Sequence, residues 1–185
     1  MQLNLLWEAR LYPSLENAMV TLTQERCEVN SIIIGNTEGK IFKVEYSLIT
    51  NHLWQTISVE VKSMIGNVSQ TLRYQSDGNG SWQENGQPLD KFRGCIDVDL
   101  PLTPFTNSLP INRLQLKNGE EKQVKVIYMD LVEGNIQPVI QKYKRLTGTR
   151  YRYENVPNDF EAEITVDEWG FVIDYPILFR RLANQ

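Results

Sequence analysis

The chain has 185 residues, of which 41% are hydrophobic and 23% are charged, and its 19 basic and 23 acidic side chains give a net charge of −4. This is the composition of an ordinary soluble globular protein, and the length suits one domain, which we predict to span residues 1-185. The mildly acidic balance argues against a nucleic-acid partner and an anionic membrane surface, and no apolar run approaches the ~18 residues of a transmembrane helix.

The first residues and the two cysteines predict a cytoplasmic location. Residues 1–8 lack the basic and long apolar regions of a signal peptide. Cys27 and Cys95 lie too far apart in sequence for a metal knuckle or a redox pair, so we expect two reduced, buried thiols. Reduced thiols are usual in the cytoplasm.

Alternation of apolar and polar residues, the pattern of a strand with one buried face, dominates the chain. It is clearest at residues 42–48, 68–74 and 160–166. Asn-Gly and Asp-Gly pairs separate such runs, and these residues accept the positive φ that tight hairpins need. Counting the runs between turns predicts roughly twelve strands, each paired with its neighbour in the chain. We therefore expect a mainly β fold, built as one curved antiparallel sheet that is rolled or closed.

Residues 95–114 combine acidic residues, prolines and an arginine more densely than any other part of the chain. Asp97 and Asp99 stand two apart in an apolar run, three prolines follow, and Arg113 adds a fixed positive charge. On a strand, the two carboxylates would share one face. Something specific must therefore hold these polar groups among apolar neighbours.

One short helix is predicted within this segment. Thr103 suits the N-cap and Pro104 the first helical position, where its missing N–H is not needed. Leu109 precedes Pro110 and should leave the α region, which limits the helix to about two turns.

The next apolar run changes phase in its middle. Val124 and Val126 begin one alternation, and Ile127, Met129 and Leu131 continue in the other. Such a slip predicts either a β-bulge or a strand that is buried on both faces.

Several blocks of the sequence resemble a bacterial family named "putative glycolipid-binding". They are residues 77–82, 95–100, 103–114, 141–143 and 166–176, and the Thr-Pro-Phe-Thr-Asn and Asp-Tyr-Pro blocks are specific in combination. The resemblance implies a single-domain spiral β-roll, or half-barrel, wrapped around one short helix, similar to lipid-carrying half-barrels of bacterial lipoprotein trafficking. It also implies a glycolipid ligand. Asn112 departs from the family pattern, where a second arginine is expected before Arg113.

The resemblance and the polar segment together predict a non-catalytic binding protein for a glycolipid or similar amphiphile, held in a cleft between the curved sheet and the helix. No catalytic residue, metal ligand or cofactor is predicted. The candidate ligand-binding residues are Asp97, Asp99, Thr103, Thr106, Asn107, Arg113, Gln141, Tyr143, Asp174 and Tyr175.

Three alternatives stay open at this stage. Asp97 and Asp99 could be the acid and base of a small glycan-active hydrolase or isomerase, because both roles need carboxyl groups. The same carboxylates could instead pair internally with Arg113, as buried charges require. Exposed sheet edges could also pair in a homo-oligomer, which would make the protein a structural module.

Two other groups of residues favour ordinary structural roles. His52 is the single histidine, and no nucleophile motif accompanies it. Basic residues alternate with tyrosines over residues 142–153, which could hold a single-stranded nucleic acid. The same alternation describes a hairpin with its tyrosines on one face and its charges in water, which we favour for an acidic chain.

Overall fold

Antiparallel strands account for most of the chain in the computed structural model, which describes residues 1–185. The strands are β1 (Gln2–Ala9), β2 (Ser14–Leu22), β3 (Arg26–Thr37), β4 (Lys40–Asn51), β5 (Thr56–Ile65), β6 (Val68–Ser76), β7 (Trp82–Glu84), β8 (Gln87–Pro88), β9 (Asp97–Asp99), β10 (Glu121–Asp130), β11 (Asn135–Thr147), β12 (Arg150–Val156), β13 (Glu161–Val166), β14 (Val172–Tyr175) and β15 (Phe179–Asn184). One α-helix, α1 (Ser108–Leu114), and two 3-10 turns, Asp90–Phe92 and Phe105–Asn107, complete the structure. No helix is long and apolar enough to cross a membrane.

All fifteen strands belong to one sheet. Its order is β8-β7-β6-β5-β4-β3-β2-β1-β15-β14-β13-β12-β11-β10-β9, so the first and last strands of the chain pair in its middle. Every pairing is antiparallel except that of β9 with β10, which is parallel. The sheet curls as a β-roll or half-barrel around the single helix, which confirms the predicted fold class.

The number of strands was predicted too low, because β7, β8 and β9 are two or three residues long. Such short strands show no readable alternation. Long strands follow the pattern closely: on β4 the alternate residues Phe42, Val44, Tyr46 and Leu48 are all buried. Period-two burial is what a sheet with one face on the core requires.

Strand β10 is buried on both faces, which was one of the two predicted explanations for its change of phase. Its pairings with β9 and β11 run without a register shift, so it contains no bulge. Val124 and Val126 belong to a smaller core of 12 residues, whereas Ile127 and Met129 belong to a larger core of 28. The strand thus separates two cores, as expected when a curled sheet covers both of its faces.

The helical segment differs from the prediction at both ends, because α1 begins at Ser108, after the 3-10 turn Phe105–Asn107, and not at Pro104. The backbone N–H of Phe105 donates to Thr103 Oγ1 at 3.0 Å at the entry to the 3-10 turn. The N-cap of α1 is Asn107, whose side chain makes no capping hydrogen bond. The prediction that Pro110 stops the helix was wrong, because α1 continues to Leu114. Pro110 lies in the first turn of α1, where backbone N–H groups have no partner within the helix.

Candidate functional site

A cleft of about 370 Å³ lies between the segment that follows β9 and the sheet strands β10, β12, β14 and β15. Aromatic and aliphatic side chains form most of its wall, and a few polar groups converge on it. The lining residues are Leu11, Asp99, Pro101, Thr103, Asn107, Tyr128, Tyr153, Asn155, Phe160, Tyr175, Leu178 and Phe179.

Asp99 is the carboxylate of the cleft. Its Oδ1 accepts a hydrogen bond from Thr106 Oγ1 at 3.0 Å, and its Oδ2 accepts one from Gln141 Nε2 at 2.6 Å. No basic side chain forms a salt bridge with it within 4.0 Å. Burial raises the pKa of Asp99, and the hydrogen bonds from Gln141 and Thr106 oppose that rise.

Asn107 is held by a tyrosine beneath it. Tyr143 Oη donates to Asn107 Oδ1 at 2.9 Å, and both side chains are buried. Burial raises the pKa of Tyr143 well above its ordinary value, so the phenol stays protonated and keeps donating. The amide of Asn107 therefore has a defined orientation.

Thr103 connects the cleft to a second buried carboxyl group. Its Oγ1 lies 3.4 Å from Tyr46 Oη, and Tyr46 Oη donates to Glu16 Oε1 at 2.7 Å. Ser31 Oγ also donates to Glu16 Oε1 at 2.7 Å. Burial raises the pKa of Glu16 to about 7.

Asp97 and Arg113 form an ion pair beside the cleft rather than in it. The guanidinium donates from Nε to Oδ1 at 3.1 Å and from Nη2 to Oδ2 at 2.5 Å. Asp97 is completely buried, and the Arg113 side chain is 18% exposed. Burial raises the pKa of Asp97, and the guanidinium opposes that rise.

The ten candidate residues thus fall into three groups. Asp99, Thr103, Asn107 and Tyr175 line the cleft. Thr106, Gln141 and Tyr143 hold Asp99 and Asn107 from behind. Asp97, Arg113 and Asp174 lie elsewhere, and Asp174 accepts a hydrogen bond from Arg10 Nη2 at 2.5 Å on the surface.

The carboxyl pair of the hydrolase alternative is not assembled at one site. Asp99 lines the cleft, but Asp97 is engaged by Arg113 on the same face of β9. An acid and a base that act on one glycosidic bond must both reach it. No three His, Cys, Asp or Glu side chains converge as a metal site.

Sequence reasoning did not select most of the aromatic wall. Tyr153 packs at 6.2 Å between ring centroids from both Phe160 and Tyr175, and Phe160 and Tyr175 are 6.4 Å apart. Tyr153 Oη donates to Asn155 Oδ1 at 2.5 Å, which fixes both side chains. The alternating tyrosines of β11 and β12 were the available signal, since they predicted one shared face.

The basic residues that alternate with those tyrosines pair with acidic neighbours. Lys142 pairs with Glu154, and Arg150 with Glu163. Tyr143, Tyr151 and Tyr153 are buried, as the interpretation of a hairpin with its tyrosines on one face predicted. His52 is exposed in the turn between β4 and β5.

Two larger depressions, of about 400 and 560 Å³, lie on the other face of strands β2–β5. They are lined mainly by exposed side chains, such as Ile32 and Met64, and contain none of the candidate residues. Ligand sites combine apolar walls with a few fixed polar groups, and this combination occurs in the cleft.

Comparison with known proteins identifies the family of the chain. Residues 4–181 match a family model described as "Putative glycolipid-binding". The chain belongs to this family. The resemblance inferred from the sequence motifs is thereby confirmed over almost the whole length.

A solved structure is consistent with the same family assignment. The chain is similar to a DUF1089 family protein from Pseudomonas aeruginosa, with 31% sequence identity and a TM-score of 0.81, over 90% of this chain and 92% of that chain. No curated protein gives a significant match. The two chains therefore share the same fold at this level of sequence identity.

Proposed function

We propose that the protein binds one amphiphilic molecule, with a glycosylated head, in the cleft and releases it unchanged. The carrying observation is the cleft itself: seven of its twelve lining residues are hydrophobic, and Asp99, Thr103, Asn107 and Asn155 supply polar groups among them. A volume of about 370 Å³ lies within the usual range for small-molecule sites.

The cleft offers different chemistry to the two parts of such a ligand. Leu11, Leu178 and Phe179 supply apolar surface for a chain. The carboxylate of Asp99 and the amides of Asn107 and Asn155 can exchange hydrogen bonds with hydroxyl groups, and aromatic rings can stack on a sugar. The family description, which names glycolipids, supports a head of this kind.

The polar groups are positioned before any ligand arrives. Gln141 and Thr106 fix the Asp99 carboxylate, and Tyr143 fixes the Asn107 amide. A site whose side chains are already held loses little conformational entropy on binding. The supporting hydrogen bonds therefore favour recognition of a ligand. A protein that binds its ligand without catalysing a reaction does not need the second carboxyl group that a hydrolase would require.

We place this function in the cytoplasm. Cys27 and Cys95 are both free and buried, which suits a reducing compartment. Burial raises the pKa of the Cys27 thiol to about 12 and that of Cys95 to about 11, so neither thiol is reactive at neutral pH.

Native mass spectrometry of the purified protein against a panel of glycolipids tests the proposal. We expect one ligand per chain for at least one glycolipid. Leu178→Trp, which places a large side chain in the cleft, should abolish uptake. Leu182→Trp is the matched control, because Leu182 is exposed on β15 outside the cleft, and it should bind like the wild type. No uptake across the panel, or equal uptake by Leu178→Trp, would contradict the proposal.

A further inference from the structure

The charges around the cleft are of one sign. Among the twelve lining residues, Asp99 is the one with an ionisable carboxyl group, and none is Lys, Arg or His. The neighbouring basic side chains have acidic partners: Arg113 pairs with Asp97, and Arg10 pairs with Asp174. No positive charge is therefore available to receive an anionic head group.

Asp99 also lacks the counter-ion that its neighbour has. Asp97, two residues earlier on β9, has the Arg113 guanidinium, whereas Asp99 accepts two hydrogen bonds from neutral groups. A carboxylate can accept about four hydrogen bonds, so Asp99 retains capacity for a donor in the cleft. Asp99 is half-buried at the wall of the cleft, so a ligand that displaces water from it would have to supply a partner for its charge.

The wall of the cleft that contains Asp99 is rich in aromatic rings. Tyr153, Phe160 and Tyr175 form a triangle with centroid separations of 6.2 to 6.4 Å, and their planes are inclined to one another by 50 to 65°. Tyr128 lines the same cleft. These separations are those of rings packed against one another, so the three rings form a continuous wall. The negative faces of aromatic rings attract ammonium groups, so a cation beside this wall would be stabilised.

Acidic side chains also make the electrostatic potential at these tyrosines negative. Burial raises the pKa of Tyr128 to about 12, with Asp99, Asp130 and Asp159 adding to the rise. Burial and then Asp99 also raise the pKa of Tyr175. Such a field concentrates cations and repels anions.

We propose that the head group of the ligand carries a positively charged nitrogen, an amine or a quaternary ammonium, placed between the Asp99 carboxylate and the rings of Tyr128, Tyr153 and Tyr175. This inference rests on the proposed function, because it assigns a charge to the head of the amphiphile bound in the cleft. An amino sugar would satisfy both the hydroxyl-binding groups and Asp99. Phosphate and sulfate heads are disfavoured, since their charge would face Asp99 without a neutralising cation.

Three probes with the same octyl chain separate the alternatives: octyltrimethylammonium, octyl glucoside and octyl sulfate, each titrated below its micellar concentration by calorimetry. We expect the ammonium probe to bind at least about tenfold more tightly than the glucoside, and the sulfate to bind weakest. Choline should likewise bind more tightly than 3,3-dimethylbutanol, in which carbon replaces the charged nitrogen. This second comparison needs no protein variant.

Asp99→Asn provides the protein side of the test. It should weaken the ammonium probe about tenfold and leave the glucoside almost unchanged, because the amide keeps the shape but loses the charge. Asp90→Asn makes the same change on an exposed residue outside the cleft and should leave binding of every probe as in the wild type. Circular dichroism checks that both variants fold.

The outcomes distinguish this inference from the proposed function. If the glucoside or the sulfate binds as tightly as the ammonium probe, the inference is overturned while the cleft remains a binding site for amphiphiles. If Asp99→Asn weakens all probes equally, charge recognition is overturned in the same way. If no probe and no glycolipid binds, the proposed function fails and the inference fails with it.

Discussion

Glu16, on β2, is a carboxyl group enclosed in the core without a basic partner. It is 2% exposed, its Oε1 accepts hydrogen bonds from Ser31 and Tyr46, and its Oε2 has no partner. Burial raises its pKa from 4.5 to about 7. Tyr46 Oη also lies 3.4 Å from Oγ1 of the cleft residue Thr103. Ionisation of Glu16 would therefore affect the wall of the cleft as well as the core.

The raised pKa of Glu16 predicts that the stability of the protein depends on pH. Between pH 4.5 and about 7 the folded protein binds this proton and the unfolded chain does not, so the free energy of unfolding falls as the pH rises through that window. The contribution that is lost amounts to roughly 3 kcal/mol. Glu16→Gln cannot ionise, so we expect its stability relative to the wild type to improve by about this amount between pH 4.5 and pH 8.

Urea unfolding at a series of pH values measures this effect. Glu25→Gln is the matched control, because Glu25 is exposed in the turn before β3 and makes no side-chain contact with the core. The control should follow the wild type at every pH. If Glu16→Gln also follows the wild type throughout, the carboxyl group ionises as freely in the folded protein as in the unfolded chain.

At the scale of elements, β10 differs from every other long strand because it separates the two cores. Val126 contacts the smaller core and Ile127 the larger one, and both are 1% exposed or less. Adjacent residues of a strand point to opposite faces, so both faces of β10 are removed from water. Residues 97–99 of β9 pair with this strand, and its burial therefore holds Asp99, the carboxylate of the cleft, in place.

Alanine substitutions test this arrangement. Ile127→Ala should reduce the free energy of unfolding by about 2–5 kcal/mol, and the adjacent Val126→Ala should also be clearly destabilising. One face of β3 is exposed, so the adjacent residues Ile33 and Ile34 should differ in the effect of alanine substitution. Ile33 is 0% exposed and Ile34 is 54% exposed. Ile33→Ala should resemble Ile127→Ala, whereas Ile34→Ala should cost less than about 0.5 kcal/mol. Equal small effects at Val126 and Ile34 would contradict burial of β10 on both faces.

At the scale of the whole molecule, the cleft joins distant parts of the chain. Leu11 follows β1, Asp99 ends β9, and Leu178 precedes β15, yet all three line one cavity. Strands β1 and β15 pair in the middle of the sheet, which brings the first and last parts of the chain together. A ligand in the cleft therefore contacts elements that come together only in the folded protein.

Ligand binding should consequently stabilise the entire fold. A ligand at 100 times its dissociation constant adds about 2.7 kcal/mol to the free energy of unfolding, which corresponds to a rise of roughly 5–10 °C in Tm for a chain of this size. Differential scanning calorimetry with the tightest probe measures the shift. Leu178→Trp should show none, and Leu182→Trp should show the full shift. A shift of equal size in both variants would place the ligand outside the cleft.

The sequence predicted the strands better than the site, and particular residues show why. The alternation on β4 is local, because each side chain faces the core or water according to its own polarity. Asp97 and Asp99 look equivalent in sequence, yet Asp97 forms an ion pair with Arg113, whereas Asp99 lines the cleft. That difference depends on where α1 packs against the sheet, which no spacing within residues 95–114 specifies.

The aromatic wall of the cleft also shows what the sequence could not predict. Tyr153 could be placed on a shared face from the alternation over residues 142–153, but its neighbours across the cleft could not be identified. Tyr128, Phe160 and Leu178 come from separate hairpins, and the curl of the sheet brings them together. Curvature accumulates from small twists between many strands, so no single segment determines it.

Residues close together in the chain were enough to predict the mainly β class, the two-sided burial or bulge at residues 124–131 and the concentration of polar residues near Asp99. The tertiary structure decided which carboxylate received the guanidinium, which strand separated the two cores and which side chains enclosed the cleft. These outcomes depend on contacts between segments far apart in sequence, and such contacts form only when the sheet curls around α1.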